Sequence, residues 1–277
     1  FAHDIQNKYA SHRIGRSAPI MAELRSIKSE TEIAVMKEAM HITELAFRRV
    51  LAFTKPGVTE YEIEAEITHE FLRNRATGHA YTPIIASGPS ACVLHYNENN
   101  RVCNDGDVIL MDFGAEYANY AADLTRCIPV NGKFTQRQKD VYNAVLRVMR
   151  AATAMLVPGN TIEQYHKEVG YVMERELVSL GLLTETEVKN QNPSAPAYKK
   201  YFMHGTSHFL GLDVHDIGDR YAPMQAGMVF TCEPGIYIPQ EGLGIRIEND
   251  ILLTEKGPID LMATIPIEVD EIEALMA

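Results

Sequence analysis

DGDVILMDFG at residues 105–114 and QAGMVFTCEPG at residues 225–235 are two copies of one pattern. Each has an early glycine, then an apolar run, then an acid two positions before a second glycine. Gly106 aligns with Gly227, Gly114 with Gly235, and Asp112 with Glu233, so an acid meets an acid. A short apolar run that ends in glycine reads as a buried strand entering a turn. Upstream, KPGVTEYEIEAEITHEFL (55–72) and VPGNTIEQYHKEVGYVMERELVSLG (157–181) match through Pro56-Gly57 and Pro158-Gly159. Two motifs repeated in the same order mark an internal duplication. The offset between copies widens along the chain, and an insertion at the polar, proline-bearing stretch TETEVKNQNPSAPAYKK (184–200) accounts for that.

Each copy opens with a helix pair. Ser29 with Glu32 forms a capping box, and Ile33, Met36, Met40, Phe47, Val50 and Leu51 follow on one helical stripe. Thr59 with Glu62 starts a second helix carrying Ile63, Ile67 and Phe71. Thr135 with Gln138 and Thr161 with Gln164 repeat both signals. After each pair come β-rich runs: VILMDFG and AADLTRCIPV in the first copy, MVFTCEPGIYIP and LGIRIENDILLT in the second. Two helices then strands, twice over, predict an α+β fold of two pseudo-symmetric halves with helices packed on a curved antiparallel sheet. Residues 1–28, including SHRIGRSAPI, carry no clear pattern and read as a lead-in.

The duplication also pairs acids. A hairpin from Asp112 to Asp123 centred between Tyr117 and Ala118 sets the two aspartates directly opposite, with Cβ atoms about 4.5–5.5 Å apart. A hairpin from Glu233 to Glu248 centred on Gln240 and Glu241 does the same for the glutamates. Carboxylates facing each other in a partly buried place raise one another's pKa unless cations offset them. Two divalent ions would nearly balance four carboxylates and a hydroxide, and an oxygen-rich set with one imidazole suits Mn²⁺, Co²⁺, Fe²⁺ or Zn²⁺. Any one of these acids alone would read as a solvated side chain paired with Arg126, Arg246 or Lys256; the matched pairs favour a metal centre.

FMHGTSHFLGLDVHD (202–216) adds His204, His208 and His215, and His95 in VLHYNENN lies at a comparable place in the first copy. The spacing of His204 and His208 could make a helical two-histidine site, but Gly205 and Ser207 between them and the lack of a central Glu argue against it. One of them is expected to bind metal. The others are candidates to donate protons or to contact an oxyanion.

Composition sets limits. The 277 residues carry 26 basic against 37 acidic side chains, a net charge of −11, and no basic run that could track a phosphate backbone; nucleic acid is not expected as a partner. No apolar stretch approaches the roughly 18 residues of a membrane span, and FAHDIQNKYA lacks the plan of a signal peptide. A cytoplasmic protein without membrane attachment is the expectation. Cys92, Cys103, Cys127 and Cys232 form no close pair, so free buried thiols are expected rather than a disulfide or zinc framework.

HYNENN, MDFGAEYANYAADLTR, HGTSHFLGLDVHD, CEPGIYIP and GIRIEND occur in the order found in the pita-bread metallopeptidases. Over about residues 25–265 the wording resembles the family's Xaa-Pro aminopeptidase (aminopeptidase P) branch. The resemblance implies that Asp112, Asp123, His208, Glu233 and Glu248 bind two divalent ions, Mn²⁺ first among them, with Asp123 and Glu248 bridging. It implies that His95, His204 and His215 meet the substrate and the transition state, that Glu233 shuttles a proton, and that Arg246 supports the ligands from behind. The implied substrate is a peptide with a free N-terminus and proline second. It also implies that residues 29–277 form the catalytic domain and residues 1–28 a lead-in or the remnant of an absent N-terminal domain; a homo-oligomer is among the assemblies it allows. Prolidase, which takes dipeptides, stays open as an alternative, as does a non-catalytic pita-bread binding module; methionine aminopeptidase fits LHYNENN and LDVHD less well.

Overall fold

A computed structural model describes all 277 residues. Eight α-helices and eleven strands follow one another as α1 (Ala2–Lys8), α2 (Ala18–Ser26), α3 (Glu30–Phe53), α4 (Glu60–Arg73), β1 (Gly78–His79), β2 (Ile84–Ser87), β3 (Val108–Phe113), β4 (Ala115–Tyr117), β5 (Tyr120–Ala121), β6 (Leu124–Pro129), α5 (Gln136–Met155), α6 (Ile162–Ser179), α7 (Glu185–Lys189), β7 (Val229–Cys232), β8 (Gly235–Ile238), β9 (Leu243–Arg246), β10 (Asn249–Thr254), β11 (Gly257–Asp260) and α8 (Val269–Leu275). The expected α+β class is borne out. No helix is long and apolar enough to cross a membrane.

Both helix pairs form where the capping signals place them. The Ser29 hydroxyl accepts from the Glu32 N–H while Glu32 accepts from the Ser29 N–H, which satisfies two otherwise unpaired donors at the start of α3. Thr135 and Gln138 do the same for α5. Helix α3, which buries Met36, Met40, Phe47, Val50 and Leu51, packs on α4, which buries Ile63, Ile67 and Phe71. One hydrophobic cluster runs through both halves, so they fold on a shared core.

Every strand pairing is antiparallel, and the curved sheet is built as four short sheets, two of them ordered β2-β3-β6 and β11-β10-β7. The duplication is visible in the backbone. Gly57 and Gly159 have φ of 95° and 92°, and Gly106 and Gly227 have 85° and 88°, a region open to glycine and strained for other residues. The Gly57 N–H donates to Cys103, and the Gly159 N–H to Met224, each three residues before the matched glycine. Asp123 immediately precedes β6, and Glu248 immediately precedes β10; both strands have six residues. The halves meet where Thr125 and Glu248 form a single antiparallel bridge.

One hairpin departs from expectation. Asp112 pairs with Thr125, not with Asp123, because Tyr117–Tyr120 closes a two-residue turn at Ala118 and Asn119, with φ of 49° and 70°. Positive φ at both central residues is the type I′ pattern. The turn centre sits one residue later than predicted, which shifts Asp123 by two positions along the ladder. Two is an even step, so both aspartates keep the same face. The second hairpin has the expected register: Gly235 pairs with Arg246 and Cys232 with Asn249, and the line between them sets Glu233 opposite Glu248.

Residues 1–28, patternless in sequence, hold α1 and α2. Pro19 in the first turn of α2 is a helix-start signal that the absence of an apolar stripe masked.

Candidate metal centre

A cavity of about 510 Å³ opens between the halves, and Asp112, Asp123, His208, Glu233 and Glu248 all line it, as do His95, His204, His215 and Arg246. The structure therefore brings every sequence-selected site residue to one place. Asp123, Arg246 and Glu248 are buried at the floor, Asp112, His204, His208 and Glu233 are half-buried, and His95 and His215 stand exposed at the rim.

One oxygen or nitrogen each from Asp123, His208 and Glu248 lies within 4.8 Å of the other two. The His208 Nδ1 lies 3.0 Å from the Phe209 carbonyl and donates to it, which turns Nε2 toward the acids, 3.4 Å from Asp123 Oδ2 and 3.5 Å from Glu233 Oε1. That is the orientation a metal-binding imidazole needs. Thr125 Oγ1 donates to Glu248 Oε2 at 2.6 Å, and the Arg246 Nε donates to the same threonine at 3.2 Å. Arg246 Nη2 donates to Asp112 Oδ2 at 2.6 Å, and Nη1 donates to the Tyr237 hydroxyl at 2.8 Å. Tyr237 then donates to His204 Nε2 at 2.7 Å, while His204 Nδ1 donates to the Gly205 carbonyl at 2.7 Å.

Charge confirms how crowded the acids are. Burial first, then the charges of Asp123 and Asp112, pushes the Glu233 carboxyl up to about 7. Burial and the neighbouring acids hold Glu248 well above the carboxylate range and raise Asp123. Burial would lower His208, but its hydrogen bond and attraction to Asp123, with the charge of Glu233, raise it to about 9. Burial, reinforced by Arg246, lowers His204 to about 3, so that ring is neutral. A cluster that holds protons so firmly is one that cations would occupy, and its donor set of carboxylates and an oriented imidazole fits divalent metal.

Sequence reasoning missed four contributors. The Tyr81 hydroxyl faces Asp112 and Asp123 together, at 2.6 Å from Asp112, and burial keeps its phenol well above the ordinary value so that it stays a donor. Thr125 and Tyr237 hold ligands or their supports. Asp250, fully buried, accepts from the Asp123 N–H at 3.1 Å, and its Oδ1 has no partner. Strand parity was the available signal for three of them: Thr125, Tyr237 and Asp250 lie two or four positions from a predicted ligand and so share its face.

Comparison with known proteins gives a consistent result. The profile of metallopeptidase family M24 matches residues 34–255. Xaa-Pro aminopeptidase of Haemophilus influenzae is 45% identical over 273 residues, covering 93% of this chain and 62% of its own length. Xaa-Pro aminopeptidase of Escherichia coli is 44% identical, with 93% of this chain and 61% of its own length covered. The solved structure of proline aminopeptidase P II from Yersinia pestis superposes with a TM-score of 0.88 at 43% identity, over 94% of this chain and 62% of that one. The chain thus spans a little over three fifths of the length of each of these three relatives.

Proposed function

The chain belongs to metallopeptidase family M24, and on that premise we propose that it is a dinuclear-metal aminopeptidase that removes the first residue from peptides with proline second. The observation that carries the reading is the convergence of both acid pairs and the His208 Nε2 on one cavity lined by three further imidazoles. The aminopeptidase names of its relatives give the substrate class. In this reading residues 29–277 are the catalytic unit, and the free state of all four cysteines fits a reducing, cytoplasmic compartment.

Asp112, Asp123, His208, Glu233 and Glu248 would hold the ions. Two divalent cations, Mn²⁺ by preference with Co²⁺, Zn²⁺ or Fe²⁺ as substitutes, supply when bound Lewis acidity toward a water and the scissile carbonyl. The protein does the rest. Glu233 takes a proton from the attacking water and returns it to the departing proline nitrogen. His215, at the rim beside His208, donates to the carbonyl oxygen as negative charge develops there. His95 orients the peptide through a free imidazole; His204, whose two ring nitrogens are engaged within the protein, offers a neutral ring edge. Arg246 keeps Asp112 aimed through its Nη2 hydrogen bond. Proline lacks a backbone N–H, so a site that accepts it second must recognise shape rather than that donor.

Product analysis by mass spectrometry on Mn²⁺-loaded protein tests this. Ala-Pro-Ala should be cut, and Ala-Ala-Ala and acetyl-Ala-Pro-Ala little or not at all. Cleavage of the dipeptide Ala-Pro alone would replace the reading with prolidase, and cleavage of none would support a binding module.

A further inference from the structure

We propose that Lys28 and Arg25 are positioning residues, which act through Asp216 to fix the loop that carries His215. This deepens the reading above, because it takes His215 as the oxyanion donor. His215 lies in residues 209–217, a stretch without helix or strand, and is itself exposed, with its ring edge-on to His208 at 4.4 Å between centroids. An exposed side chain on an irregular loop is a poor donor unless the backbone beneath it is held.

The holding contact is next to it. The Asp216 side chain is 1% exposed, and it meets two cations from the other end of the sequence: Lys28 Nζ at 3.2 Å from Oδ2 and Arg25 Nη2 at 2.5 Å from Oδ1. Lys28 is also 1% exposed. An ammonium withdrawn from water this far persists only against an opposite charge. Arg25 Nη2 reaches Asp213 Oδ2 at 2.6 Å as well, so both aspartates flanking His215 are gripped.

Backbone contacts convert that grip into a fixed geometry. The Lys28 N–H donates to the Gly227 carbonyl, which ties the cation to the turn before β7. Asp216 donates its N–H to Phe209, and Ala121 of β5 donates to Gly211, so the loop is tethered at both ends. Gly211 is glycine for the same reason: a Cβ there would stand 2.2 Å from Asp216 Oδ2 and 2.9 Å from Lys28 Cε. The space a side chain would take is filled by the ion pair. Arg25 and Lys28 precede the segment matched by the family profile and do not line the cavity; their side chains reach the His215 loop through Asp216 and Asp213.

The test uses the whole chain with Lys28→Met, Asp216→Asn, the double variant and Lys28→Arg. Three quantities are read: Mn²⁺ stoichiometry, kcat and KM on Ala-Pro-Ala, and hydrogen exchange of residues 209–217. Lys28→Met is expected to keep its metal and its KM, to lose about tenfold or more in kcat, and to exchange faster in 209–217 than wild type. Lys28→Arg should restore most of the kcat. The double variant should be no worse than the worse single, as for partners in one contact. Unchanged exchange, additive losses in the double variant, or a parallel loss of metal and KM would overturn the proposal. Should Lys28→Met not fold, Asp216→Asn gives the same readouts. A wild type that cuts none of the peptides would defeat the aminopeptidase reading, while exchange would still decide whether the loop is fixed in this way.

Discussion

Glu233 and His208, both in the cavity, make the stability of the metal-free protein depend on pH. Glu233 rises from 4.5 to about 7 on folding, so across that interval the folded state binds more protons than the unfolded state, and stability falls as pH increases. His208 rises from 6.5 to about 9; its stabilisation is complete below 6.5 and is lost as pH passes through about 9. Both effects have the same sign. The metal-free protein should therefore melt at a lower temperature at pH 9 than at pH 5.5. Added Mn²⁺ competes with those protons, so the gain in Tm on metal addition should grow with pH. Calorimetric melting of both forms across that range measures it, and a metal-free Tm that is flat or rising would contradict the charge account. The histidines divide differently. His208→Ala should lose metal, because its Nε2 faces the acids, whereas His215→Ala should keep metal and lose most of its kcat. Metal content and turnover of the two variants decide this, and equal metal loss would defeat the division.

At the scale of the hairpins, legibility in the sequence depended on what marks a turn. Glu233 and Glu248 were paired correctly because Gly242 and the flanking strands fix the centre. The Asp112–Asp123 hairpin was set two positions off because its turn is made by Ala118 and Asn119, with no glycine to announce positive φ. The face survived the slip because the step was even. Alternation would also have led from Asp123 to Thr125, from Glu233 to Tyr237 and from Glu248 to Asp250; Tyr81 had no such lead, because only tertiary packing brings it to the aspartates. The tightest point of this hairpin is Gly114, where a Cβ would lie 1.7 Å from the Ala122 carbonyl oxygen. Backbone cannot move aside as a side-chain end can. Gly114→Ala should cost about 3 kcal/mol and weaken metal binding, because Ala122 leads directly into Asp123. Denaturant unfolding and a metal titration check both; a variant as stable as wild type would show that the strands do not approach this closely.

For the molecule as a whole, duplication explains both the fold and the site. Two copies of a helix pair and a strand unit each deliver two acids, and the Thr125–Glu248 bridge brings the acids together. The repeat was legible because glycines with positive φ leave a trace in sequence. The lead-in was not, because α1 and α2 bury almost nothing: Ser26 is the one buried residue of α2, and α1 has none. Without an apolar stripe there is no periodicity to read, yet Arg25 at the end of α2 and Lys28 just beyond it supply the cations beside Asp216. The central claim is that four acids from two copies form one dinuclear centre, and metal stoichiometry tests it most directly. Protein reconstituted with excess Mn²⁺, freed of unbound ion and measured by elemental analysis, should hold two ions per chain; saturation at one ion or none would contradict the account.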